Sequence, residues 1–119
     1  MDEHQYTLRR ATQEVKRIVA EVIDRELKDP RIGLASVVGV ELSPDFRHAS
    51  IYISVLGDEE ERRITFEGLE SAKGYIRSEL GERTRLKYVP EIRFVEDRSI
   101  ERGARIDEII RRINDHEEE

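Results

Sequence analysis

The sequence contains no cysteine. That excludes disulfides, thiol catalysis and cysteine-held zinc or iron, and with no sign of an oxidising compartment a cytosolic, cytoplasmic protein is expected. Aromatic residues make up only 6% of the chain, so the core is expected to be thin and aliphatic. No apolar run approaches the ~20 residues of a membrane span, and the N-terminal MDEHQYTLRRATQEV has no apolar stretch of the signal-peptide kind. No membrane partner is expected. Catalytic punctuation is missing too. There is no phosphate-cradling GxxxxGK[ST] loop, Ser71 and Ser99 have no nucleophile-elbow context, and His4, His48 and His116 stand alone, without a second metal ligand at helical or turn spacing. A general acid and base could be drawn from so many carboxylates, yet no pair is singled out. These absences point away from an enzyme and predict neither a metal nor any other cofactor.

What the sequence has in abundance is charge. Charged residues are 40% of the 119 positions against 37% hydrophobic, and the formal net charge is −6. An acidic chain of this size reads as one domain, and a nucleic-acid binder is usually basic. The distribution changes that reading. Two acidic clusters, Asp58 to Glu61 and Asp115 to Glu119, are expected between or beyond the ordered segments, whereas between Ser71 and Arg93 Lys73, Arg77, Arg83, Arg85, Lys87 and Arg93 outnumber Glu79, Glu82 and Glu91. One segment is therefore basic within an acidic protein.

Leu8, Ala11, Val15, Ile18, Val19, Val22, Ile23 and Leu27 recur at helical spacing and predict a long amphipathic helix over residues 5–28. Its outer side carries Arg9, Arg10, Lys16 and Arg17 early and Asp24 and Glu26 late. This order opposes the helix dipole, as a phosphate partner could require, although a solvated face is the plainer explanation. Asp29 and Pro30 stop the helix. Two strands follow, 34–42 and 47–56, joined by the turn sequence SPDF as an antiparallel hairpin; in the second, Ala49, Ile51, Ile53 and Val55 alternate toward one face. Ile64, Leu69 and Ala72, then Ile76 and Leu80, trace a helical face interrupted at Ala72, Lys73 and Gly74, so two short helices are expected to meet at the glycine. Gly81 is a candidate C-cap. Pro90 opens a third strand in which Ile92 and Phe94 share a face, and Ile106, Ile109, Ile110 and Ile113 mark a final helix before a tail, 115–119, that is expected to fray. The single domain is placed at 1–114.

The succession of motifs resembles one family. KDPRIG at Lys28 to Gly33, VGVELSPDFRHASIYISVLG from Val38 to Gly57, AKG at Ala72 to Gly74, YIRSELG after it, LKYVPEIRF from Leu86 to Phe94 and the following DRSIERGARI look together like ribosome-binding factor A. The resemblance covers nearly the whole chain. It implies an α+β fold, a KH-like type II domain ordered α-β-β-α-kink-α-β, with a three-stranded sheet packed on helices and a short C-terminal helix. It implies binding to the small (30S) ribosomal subunit and its 16S rRNA, free or in immature particles, during late maturation, without catalysis and with importance in the cold. A late-assembly GTPase is a candidate further partner, and a monomer is expected. The GxxG loop by which typical KH domains clamp single-stranded nucleic acid is missing, because Gly68 and Gly74 are too far apart; the AKG kink takes its place. The candidate RNA-binding residues are Arg9, Arg10 and Arg17 on the first helix, Lys73, Gly74 and Arg77 at and after the kink, and Arg83, Arg85 and Lys87 beyond it. The competing reading is a protein-interaction module using the exposed side of the sheet, with Tyr52 and Leu56 as anchors.

Overall fold

The computed structural model describes residues 2–98. The final helix expected around Ile106 to Ile113, the tail and His116 lie outside these residues. Helix α1 runs Glu3–Glu21 and begins with a reciprocal capping box, in which the Asp2 carboxylate accepts from the Gln5 amide and the Gln5 side chain accepts from the Asp2 amide. Its apolar stripe, Ala11, Val15, Ile18 and Val19, is buried as the spacing requires. Past Glu21 the helix does not continue in α geometry to residue 28. It widens into a π turn, Val22–Glu26, closed by the Leu27 amide donating to the Val22 carbonyl at 3.1 Å. Such turns are rare and collect at functional sites.

The Asp29 carboxylate then accepts from the backbone amide of Arg31 and pairs with its guanidinium, which folds the DPR segment into a tight turn. Strand β1 (Ala35–Leu42) pairs antiparallel with β2 (His48–Val55), as the hairpin expectation requires, with a bulge between Val37 and Gly39. At the hairpin tip Ser43 Oγ donates to Asp45, and Phe46 takes a positive φ of 64°, which is costly for a bulky side chain.

Helix α2 runs Glu59–Ser71 and α3 Lys73–Arg83. Three expectations are corrected here. The acidic cluster is not an unstructured link: Asp58 is the N-cap of α2 in a second capping box with Glu61, and Glu59 to Glu61 form its first turn, where carboxylates oppose the positive end of the helix dipole. The break falls at Ala72 (φ −86°, ψ −3°), not at Gly74, which lies in the first turn of α3. Gly81 is no cap, since α3 continues to Arg83 and ends at Thr84, whose hydroxyl donates to the Leu80 carbonyl at 2.6 Å.

Strand β3 (Glu91–Glu96) pairs parallel with β2, giving the order β1-β2-β3. All helices among the described residues pack on one face of this sheet, where Ile51, Ile53, Leu69, Ile76, Leu80, Val15, Ile18 and Val22 are fully buried. The buried core is aliphatic, with Phe46, Phe66 and Phe94 packed half-buried against it. The opposite face carries Tyr52, whose hydroxyl donates to Glu41 at 3.0 Å, and Arg93, which donates to Ser50.

Candidate nucleic-acid interface

A helix presents residues three and four apart on one side, so Arg10, Gln13, Glu14 and Arg17 share a flank of α1. The end of α3 comes alongside that flank. Together with Arg83 and Arg85 these residues line an open groove of about 520 Å³. No metal-holding cluster of acidic, histidine or cysteine side chains exists among the described residues. Nor is any helix among them long and apolar enough to cross a membrane.

The cations nominated by sequence divide into two groups once their partners are known. Arg83 is committed to the fold. Its Nη2 lies 2.6 Å from Glu26 Oε1 and 2.8 Å from Glu79, its Nη1 3.7 Å from Glu21, and Tyr75 donates to the same Glu26 at 3.0 Å. The Arg83 hydrogen bond holds the Glu26 carboxyl below its ordinary range, and the Tyr75 bond to Glu26 pushes the tyrosine hydroxyl up. Glu26, the last residue of the π turn, thus meets both Tyr75 and Arg83 of α3.

Arg77 is engaged as well. Its Nε donates to the Pro90 carbonyl at 3.1 Å and its Nη2 to that of Val89 at 3.2 Å, tying the 84–90 loop to α3. Lys73 pairs with Glu70 at 2.8 Å, and Arg17 with Glu21 at 3.2 Å. By contrast Arg9, Arg10, Arg85 and Lys87 are exposed and make no ion pair among the described residues. Arg10 lies 5.8 Å from the Tyr6 ring centroid and Lys87 5.4 Å from that of Tyr88. The groove thus keeps uncommitted charge at Arg10 and Arg85, while Arg83, which also lines it, is held by carboxylates.

Gly74 is exposed, and a Cβ built there would meet nothing within 4 Å. The fold itself therefore gives no reason for a glycine. The close approach belongs to Gly68, which sequence reasoning passed over: a Cβ there would lie 2.8 Å from Ile32 Cγ1 and 3.2 Å from Arg31 Cβ, so the KDPRIG turn seats directly on α2. Sequence reasoning also did not single out Arg47 and Tyr88, which lie together, the Arg47 Cζ 5.1 Å from the Tyr88 ring centroid. Of the two anchors of the competing protein-interaction reading, Tyr52 has its hydroxyl tied to Glu41, while Leu56 is 66% exposed beside Leu34 at 71%.

A three-stranded mixed sheet with α1 and the broken α2–α3 pair on one side defines a KH-like α+β domain without a GxxG clamp. Its family is more specific. The family model described as ribosome-binding factor A matches residues 7–110, and the chain belongs to that family. A ribosome-binding factor A of Halothermothrix orenii is 51% identical over 92% of this chain and 90% of its own length. The crystal structure of ribosome-binding factor A from Thermus thermophilus superposes with a TM-score of 0.66 at 29% identity, covering 75% of this chain and 93% of that one. A homology model of the Thermus thermophilus factor, fitted into a cryo-EM map of a 30S complex, gives 0.61 at 31% identity over 74% of this chain and 92% of that one.

Proposed function

We propose that this chain is a non-catalytic assembly factor that binds precursors of the small ribosomal subunit and promotes late maturation of 16S rRNA, through the flank of α1 and the end of α3. The observation that carries the reading is the α1–α3 groove, where Arg10 and Arg85 make no ion pair while Arg17 and Arg83, in the same groove, are held by Glu21 and by Glu26 and Glu79. The related factor fitted as a 30S complex supports the choice of partner. An acidic protein that binds RNA must concentrate its phosphate contacts in such a patch, because the rest of its surface repels the backbone. The mechanism needs no bond to be made. A factor that binds an immature RNA conformation more tightly than the mature one shifts the population by that difference in affinity, and maturation then removes its own binding site.

The test is co-sedimentation with small subunits across a salt series. Each phosphate contact contributes roughly −0.7 to −0.9 to the slope of log affinity against log salt, so replacing Arg10 and Arg85 together with Ala should flatten the slope by about 1.5. Arg83→Gln should leave the slope unchanged and lower the melting temperature instead. Equal slopes for wild type and the double variant would place the RNA contacts elsewhere. A wild-type protein that stays at the top of the gradient would overturn the reading.

A further inference from the structure

At the end of the sheet where the hairpin turns and β3 begins, Tyr88 is 48% exposed and carries two cations over its ring. Arg47 Cζ lies 5.1 Å from its ring centroid and Lys87 Nζ 5.4 Å. Arg47, His48, Tyr88, Val89 and Glu91 line a cleft of about 310 Å³. We propose that this cleft holds one unpaired base of single-stranded RNA, stacked on the Tyr88 ring, with its flanking phosphates on Arg47 and Lys87. The inference rests on the RNA-binding reading above and adds a second, sequence-tolerant contact to it.

Three features make this more than an exposed tyrosine. First, the backbone that carries the ring and its neighbouring arginine is tied down. Arg77 ties down the carbonyls of Val89 and Pro90, and the Glu91 amide donates to the Arg47 carbonyl at 2.8 Å, so the loop and the hairpin carry Tyr88 and Arg47 as one unit. Second, Arg47 follows the strained Phe46, and bulky residues at positive φ persist where the surrounding structure imposes them, often at binding sites. Third, the chemistry matches. An aromatic ring with cations over it can bind unpaired bases without sequence preference, since every base offers a π face that takes the place of a cation on the ring and the displaced cations turn to the phosphates. The carboxylate in the cleft, Glu91, is 3.4 Å from Arg77, which offsets its repulsion of a phosphate. Arg85, three residues before Tyr88 on the same loop, lines the α1–α3 groove, so the loop joins the two surfaces.

The experiment measures binding of fluorescein-labelled octauridine, and of the same RNA in a duplex, by anisotropy in a salt series. Tyr88→Phe keeps the π face and should bind octauridine as wild type does. Tyr88→Leu keeps apolar bulk without that face, and both it and Tyr88→Ala should lose roughly 5- to 150-fold at every salt concentration, the equivalent of one base stack, with an unchanged slope. Duplex binding should not change. The stacking site is overturned if wild type does not bind octauridine, if Tyr88→Leu retains wild-type affinity, if Tyr88→Phe loses as much as Tyr88→Ala, or if single strand and duplex weaken alike. These outcomes separate from the reading above. Wild type that sediments with the small subunit while the Tyr88 variants bind octauridine normally removes only the stacking site, whereas wild type that fails to sediment removes the small-subunit reading.

Discussion

Gly68 and Gly74 stand on either side of the helix break, and the fold needs only one of them. Gly68 is buried in α2 under the KDPRIG turn, where a side chain would collide with Ile32 and Arg31. Gly74 is exposed in the first turn of α3 with open space where its side chain would be. The two answer different demands. One lets two parts of the chain touch. The other leaves backbone uncovered toward the outside, at a cost of up to ~1 kcal/mol relative to alanine in helix propensity, and intramolecular packing returns nothing for it.

The largest effect should come from closing the internal contact. Gly68→Ala is expected to cost about 1–3 kcal/mol, a fall in melting temperature of roughly 5–20 °C, because the Ile32 side chain and the turn beneath it must both move. Thermal unfolding followed by circular dichroism checks this, and a variant that melts like wild type would erase the contrast between the two glycines. The opposite sign is expected at the other position. Gly74→Ala should stabilise α3 by a few tenths to ~1 kcal/mol, while Gly74→Leu, still folded, should weaken co-sedimentation with small subunits by covering the open backbone. Unchanged binding by a folded Gly74→Leu would mean that nothing approaches there and that the glycine marks only a helix start.

The smallest effect sharpens the comparison by asking what holds α3 if Gly68 holds α2. The Arg83, Glu26 and Tyr75 cluster bridges α3 to the π turn. Because Arg83 depresses the Glu26 pKa in the folded state, the pair contributes stability above the ordinary carboxylate pKa and loses it as pH falls through the folded value. Glu26→Gln should therefore be slightly less stable at neutral pH and lose less on acidification than wild type. Urea unfolding at a series of pH values measures it. Parallel curves for the two proteins would show that the cluster does not fasten α3.

The elements were legible in the sequence because their signals are local. The stripe from Ala11 to Val19, the alternation of Ala49 to Val55 and the Ile92/Phe94 face each record burial at the period of the element itself, and the structure buries all of these but Phe94. Less was legible of the helix ends. Gly81 looked like a cap because glycine commonly is one, but Val89 packs over it, 3.1 Å from where its Cβ would be, and Thr84 ends the helix instead. The acidic run at Asp58 looked like a loop because charge density does not reveal that its first member caps a helix and the rest oppose a dipole.

The sequence by itself determined the order of the elements, the hairpin, the aliphatic core and the family, since each is written in residue types at short spacing. Tertiary structure alone decided which cations remain available. Arg77 and Arg83 are indistinguishable from Arg10 and Arg85 as letters, yet Arg83 meets Glu26 across 57 positions and Arg77 meets the Val89 and Pro90 carbonyls across a loop. Whether a charge is spent inside the protein or offered to a partner depends on what lies within a few ångströms of it, and that distance is set by the packing of the whole chain.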